Sequence, residues 1–272
     1  MKQLFHIKSQ ASPDPIDPVL SLRIGERHCS FAVTDRSAKE IYSLAYYSGD
    51  EVNAESLGSI FMAHPELSRG FHSVQVGFDH PQSLLVPFQL FDKDAAPQIM
   101  STMFGKKEGT EVLSEPVKEW QLYNIYSVNG ELRNWLARKF TSANYYHNYS
   151  VSIRLPSSNG DRLVINLQTD EFSIVGMKHD KLVIAVTYEY ASPSDVLYHL
   201  LKICELHSFS QRDTEICIAG LIERESALFR EIYQYFLHTS FREPGWDASN
   251  LGDNQFPNHF FTPLNDLARC AS

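Results

Sequence analysis

The stretch Asp161–Tyr190, DRLVINLQTDEFSIVGMKHDKLVIAVTYEY, leaves the chain few choices of fold. Leu163–Leu167 is an almost unbroken apolar run, the pattern of a strand buried on both faces. Phe172–Met177 and Leu182–Tyr188 are rich in β-branched and aromatic residues, and only His179 and Asp180 lie in the connection between them. Asp tolerates a left-handed backbone, so a two-residue hairpin turn is expected there without glycine. The stretch therefore predicts a three-stranded antiparallel meander.

Helical signals follow. Ser192-Pro193-Ser194-Asp195 reads as an N-cap, a first-turn proline and an acid at the positive end of the dipole. Val196, Leu197, Leu200, Leu201, Ile203 and Cys204 then recur at helical spacing. Ile216–Ala219 is a short apolar strand ending at Gly220. Leu228, Ile232, Tyr235 and Phe236 mark the buried face of a second helix. The order is β-β-β-α-β-α.

The first half begins the same way. Val19–Ile24, Cys29–Thr34 and Glu40–Tyr47 form a strand triplet. Asn53 caps a helix carrying Leu57, Ile60 and Phe61, and Phe71–Phe78 is a fourth strand closing at Asp79-His80-Pro81. A shared order at this scale indicates duplication of a supersecondary unit. Additions follow residue 80: an edge-type strand Leu84–Leu90 containing Pro87, and a helix Asp92–Phe104 with Pro97 inside it as a weak point. Gly105–Thr110 reads as a charged loop, Leu122–Tyr126 as a strand and Asn129–Phe140 as a helix capped by Asn129. Tyr145–Leu155 leads into the second half. Residues 9–18, with Pro13, Pro15 and Pro18, read as a lead-in without regular structure. Pro156–Gly160 is the boundary between a lobe at 1–156 and a lobe at 157–272. Arg242–Gln255 reads as an ordered loop or partly mobile lid. His259-Phe260-Phe261 and Leu264–Leu267 read as an apolar end that docks on the second core.

A length of 272 residues with 43% hydrophobic side chains suffices for two cores. The net charge of −9 argues against nucleic acid as a partner, because phosphate binding needs clustered Lys and Arg. Met1–Gln10 has no apolar core of signal-peptide length, and no stretch approaches the ~18 apolar residues of a membrane span. A cytoplasmic protein with no membrane insertion is expected. Cys29, Cys204, Cys217 and Cys270 are scattered and read as free thiols. His6, His28, His179 and His259 show no metal-ligand spacing, so no metal is expected.

Four segments carry a family resemblance: LSLRIGERHCSFAVTD, RLVINLQTDEFSIVGMKHDKLVIA, ICIAGLIERESALF and the terminal NHFFTPLNDLA. With two RNase H-like β-β-β-α-β-α lobes in tandem, the chain resembles the actin-like ATPase fold of actin, sugar kinases, Hsp70 and pilus-assembly or cell-division proteins. More closely, it resembles a bacterial family of unknown function assigned that fold. The resemblance implies an α/β protein with an interlobe cleft. In active relatives, the hairpin turn after the first strand of each lobe holds phosphate, and an acid two residues before a glycine organises Mg²⁺.

Here those positions depart from the pattern. In the first lobe the triplet is Arg23-Ile24-Gly25: the glycine is kept but the acid has become a cation. In the second it is Asn166-Leu167-Gln168, which has neither the charge nor the glycine. The adenosine loop, which usually carries paired glycines, keeps one in Ala219-Gly220-Leu221. The implied reading is a non-catalytic scaffold or binding module without cofactor, acting through a protein partner or self-association. The alternative is a nucleotide-binding ATPase or phosphotransferase, using ATP and magnesium, that places its metal with other acids such as Asp79 or Asp170. Arg23 reads as a strand-end cation in an ion pair or as an anion ligand. Asp79-His80 follows a strand, where α/β folds place site residues, and reads chiefly as a turn. Glu223, Arg224 and Glu225 read as the acidic opening of a helix near the expected cleft. Tyr145-Tyr146-His147-Asn148-Tyr149 is the densest aromatic cluster. It reads as a stacking or partner surface, or as a strand with one wet and one dry face.

Overall fold

The computed structural model describes residues 1–9, 16–155, 160–246 and 256–271. The chain divides into two compact units. The first takes in Met1–Arg154, Trp246 and residues from Leu267 onward; the second takes in Leu155–Gly245 and residues up to Asp266.

In the first unit, β1 (Lys2–Lys8) precedes the meander β2 (Val19–Ile24), β3 (His28–Thr34) and β4 (Ile41–Ser48). Helix α1 (Ala54–Ala63) and β5 (Ser73–Phe78) follow. Asn53 caps α1 as its sequence position requires: its Oδ1 accepts from Ser56 N at 2.9 Å, and Ser56 Oγ accepts from Asn53 N at 2.9 Å. Leu57, Ile60 and Phe61 are thereby turned onto the sheet. The additions are β6 (Ser83–Pro87), α2 (Ala96–Phe104), β7 (Thr110–Val117), β8 (Leu122–Asn129) and α3 (Gly130–Lys139), then β9 (Asn144–His147) and α4 (Asn148–Ile153). The main sheet runs β1-β4-β3-β2-β5-β9, and a smaller antiparallel sheet runs β6-β8-β7.

The second unit contains β10 (Arg162–Leu167), β11 (Glu171–Lys178), β12 (Lys181–Glu189), α5 (Pro193–His207), β13 (Glu215–Gly220), α6 (Ala227–Tyr235), β14 (His238–Phe241) and the first part of α7 (Thr262–Ala268), whose last two residues belong to the first unit. Its sheet runs β12-β11-β10-β13-β14. β10 pairs antiparallel with β11 and parallel with β13, as β2 does with β3 and β5. The unit is therefore β-β-β-α-β-α with a fifth strand added parallel at the edge, and β9 holds the equivalent place in the first sheet. Both residues of the expected tight turn are left-handed, His179 at φ 48° and Asp180 at φ 57°. Asp195 Oδ2 accepts from Ser192 N at 2.8 Å, closing the start of α5.

The structure corrects several expectations. Lys2–Lys8, for which no element was expected, is an edge strand that pairs with β4. Residues 105–109 form the expected loop, but the stretch after it, for which no element was expected, is β7, whose polar residues are tolerated because one face stays wet. Pro97 lies in the first turn of α2, where its missing N–H breaks no helical bond. Tyr235 is 46% exposed and leaves the buried face to Leu228, Phe229 and Ile232. Helix α6 opens after Glu223–Glu225, with Ser226 as its N-cap. Within Arg242–Gln255, residues 247–255 lie outside the described residues. The apolar end is divided: Phe261 and Leu264 belong with the second unit, whereas Leu267 packs over Gly77 and Cys270 O accepts from Tyr146 Oη, both in the first.

Candidate functional site

In the first unit, three polar side chains meet at the carboxyl ends of β2 and β5. Arg23 lies on β2 between Ser30 of β3 and Gly77 of β5 and is only 5% exposed. Its Nη2 sits 2.7 Å from Asp79 Oδ2. Asp79 follows β5 directly and donates its N–H to Ile24 O at 2.9 Å, which fixes the carboxylate beside the end of β2. His28 opens β3 and places Nε2 2.9 Å from the same Oδ2. Burial alone would raise the Asp79 carboxyl, but the Arg23 guanidinium and the His28 hydrogen bond hold it below the ordinary carboxylate range. Asp79 is therefore ionised, and His28 donates to it.

Gly25 sits at the turn between β2 and β3. A Cβ placed there would fall 2.2 Å from His28 Cε1, so the imidazole occupies the space that the missing side chain leaves. The turn's backbone is directed inward. Gly25 N–H donates to His28 O at 2.9 Å, Glu26 O accepts from Val52 N at 2.8 Å and Arg27 O accepts from Gly49 N at 2.9 Å. Sequence reasoning kept Gly25 and Arg23 but left His28 as a default imidazole. The available signal was its place three residues after the glycine, across a tight hairpin.

The polar interior continues toward β9. His147 donates Nε2–H to His80 O at 2.8 Å, and its Nδ1 accepts from Tyr149 N at 3.1 Å, which fixes a neutral tautomer. Burial pushes His147 down to about 4, and His80 likewise to about 4. Glu115 accepts from His147 N at 2.9 Å and from Arg154 Nη1 at 2.6 Å. The aromatic cluster is largely engaged internally. Tyr145 lies under the Arg133 guanidinium at 4.0 Å, and Tyr149 is 2% exposed in α4.

In the second unit, Asn166, Gln168, Gly220 and Leu221 gather at the carboxyl ends of the adjacent parallel strands β10 and β13. Asn166 and Gln168 are buried. Gln168 N donates to Glu171 O at 2.9 Å, and Gln168 O accepts from Tyr190 Oη at 2.7 Å. Gly220 has φ 91°, and a Cβ there would fall 2.1 Å from Leu167 O. Glycine is required because the two backbones approach closely, and Leu221 N then reaches Leu167 O at 2.9 Å. Glu223 lines a concavity of about 510 Å³ with Arg224, Glu225, Phe241, Glu243 and His259. His259 donates to Ile222 O at 2.6 Å and stacks on Phe241 at 3.9 Å.

A family model described as a protein of unknown function, DUF3822, matches residues 17–239. The chain belongs to the DUF3822 family. It is similar in structure to a Bacteroides thetaiotaomicron protein with actin-like ATPase fold and unknown function. The TM-score is 0.71 at 19% identity, covering 85% of this chain and 93% of that one. Against the PilM-PilN type IV pilus biogenesis complex the TM-score is 0.63 at 10% identity, covering 94% of this chain and 98% of that one. Against the cytoplasmic domain of EpsL, an inner membrane component of the Vibrio cholerae type II secretion system, it is 0.52 at 13% identity, covering 94% and 95%. No curated protein matches the chain. This DUF3822 member thus has the actin-like ATPase fold. Among the described residues, no helix is long and apolar enough to cross a membrane.

Proposed function

We propose that this protein is a non-catalytic, cytoplasmic member of the actin-like fold that works as a protein-binding scaffold. The observation that carries the reading is the His28 imidazole seated against Gly25, where phosphate approaches in active relatives. Three further features support it. The N–H groups of Gly25, Gln168 and Leu221 are all bonded within their own units. The cation at position 23 is paired with the Asp79 carboxylate of its own unit. Of the two acids that the rival reading offers, Asp79 and Asp170, the first is already committed to Arg23 and His28, so it is a poor magnesium ligand. A protein partner also suits the similar structures described as parts of a pilus-biogenesis complex and of a secretion system.

The test is a thermal-shift titration with ATP and Mg²⁺, run with a phosphate-release assay. The expected result is no saturable rise in Tm and no release above the protein-free rate. A saturating rise accompanied by phosphate release overturns the reading in favour of a divergent ATPase or phosphotransferase.

A further inference from the structure

A second polar cluster in the first unit lies where β1, β4 and the end of α1 meet. His6 comes from β1, Ser43 and Tyr47 from β4, His64 caps the C-terminus of α1, and Glu66 stands in the short 3₁₀ turn that follows. One oxygen, Glu66 Oε1, is 3.3 Å from His6 Nε2 and 3.3 Å from His64 Nδ1. The donor atoms of these three residues all lie within 4.8 Å of one another. Four ligands held tetrahedrally at Zn–N and Zn–O distances of about 2.0–2.1 Å are themselves about 3.3 Å apart. The two imidazole–carboxylate separations already have that length.

The surrounding hydrogen bonds orient each donor inward. Lys8 Nζ holds the other carboxylate oxygen, Oε2, at 3.1 Å and so turns Oε1 toward the rings. Tyr47 Oη donates to Gln3 Oε1 at 2.7 Å. Its single proton is then spent, so at 2.5 Å it accepts from His64 Nε2–H. His64 Nδ1 is then the ring nitrogen that faces Glu66 Oε1. The site is walled by Phe31, whose ring lies 4.8 Å edge-on from His64, while His6 keeps a side toward solvent for entry.

We propose that His6, His64 and Glu66 bind a divalent transition-metal ion of the zinc class through two imidazole nitrogens and one carboxylate oxygen. The donor set suits borderline ions such as Zn²⁺ rather than Mg²⁺ or Ca²⁺, which prefer oxygen alone. Tyr47 is a positioning residue that sets the His64 tautomer, as outer-shell partners of metal-bound histidines do. The bound ion ties the edge strand β1 to the end of α1.

The tag-free full chain is titrated with Zn²⁺ by calorimetry and by thermal shift. One ion per chain and a saturating rise in Tm are expected. His6→Asn and Glu66→Gln are expected to weaken binding at least about tenfold, and Tyr47→Phe by about 10- to 100-fold. Should a variant fold poorly, Co²⁺ broadening of imidazole resonances in the unaltered chain reads the site directly. Broadening centred on His6 and His64, out of 11 histidines, is expected. No Zn²⁺ binding by the unaltered chain, unchanged affinity in His6→Asn and Glu66→Gln, or broadening centred on other histidines overturns the proposal.

Discussion

Replacing Arg23 by Met keeps the volume of the side chain and removes its charge, leaving Asp79 buried without its main partner. The separation of 2.7 Å corresponds to a gross attraction of about 6 kcal/mol at an effective dielectric of about 20. Desolvation of both groups offsets much of that. Removing one partner of a buried pair nevertheless destabilises by about 3–5 kcal/mol, because the other charge is stranded. For a unit of this size, that lowers Tm by roughly 6–20 °C. Asp79→Asn should cost less, because the amide still accepts from His28. The double variant Arg23→Met/Asp79→Asn should recover a large part of the Arg23→Met loss, giving a coupling of at least about 2 kcal/mol. Urea unfolding supplies the energies, and hydrogen exchange of β2, β3 and β5 amides localises them. Additive effects, or a neutral Arg23→Met, would refute the reasoning and return Arg23 to the role of an uncommitted anion ligand.

Gly25→Ala drives a methyl group into the His28 ring and is expected to destabilise by about 1–3 kcal/mol. Adding His28→Ala should relieve the clash, and a Gly25→Ala variant as stable as the parent in a thermal melt would dispose of the sealed turn. The pH dependence follows from His147, whose folded value of about 4 lies below its unfolded value of 6.5. As pH falls through that window the unfolded chain takes up the proton first, so stability is full above about 6.5 and declines toward about 4. The loss is up to about 3 kcal/mol, and His80 acts in the same direction. His147→Gln should flatten the profile in urea melts taken across that range; an unchanged slope would contradict the assignment.

Much of the fold was legible because it follows from local chemistry. The apolar runs and bulk of Leu163–Tyr188 define the meander, Asn53 and Asn129 announce helix starts by their own hydrogen bonding, and Pro193 announces one by its fixed first-turn backbone. Segments that become strands only through a partner were hidden. Lys2–Lys8 acquires its pairing from β4, and His238–Phe241 is four residues laid parallel on β13. At the candidate site, residue identities at 23, 25, 166 and 168 revealed that the expected phosphate-binding chemistry was altered. They did not reveal what filled the space, because the contact of His28 with Gly25 depends on how a hairpin twists. The cluster of His6, His64 and Glu66 was beyond reach for a similar reason. Its members are far apart in sequence, and only the unannounced strand β1 brings them together.

The return of the chain to its starting unit has a consequence for how the protein is made. Tyr146 is separated by 124 positions from the carbonyl of Cys270 that it engages, and Gly77 waits still longer for Leu267. During synthesis every strand of the second sheet leaves the ribosome before those contacts exist. The lobe that is translated first is therefore the last to be finished.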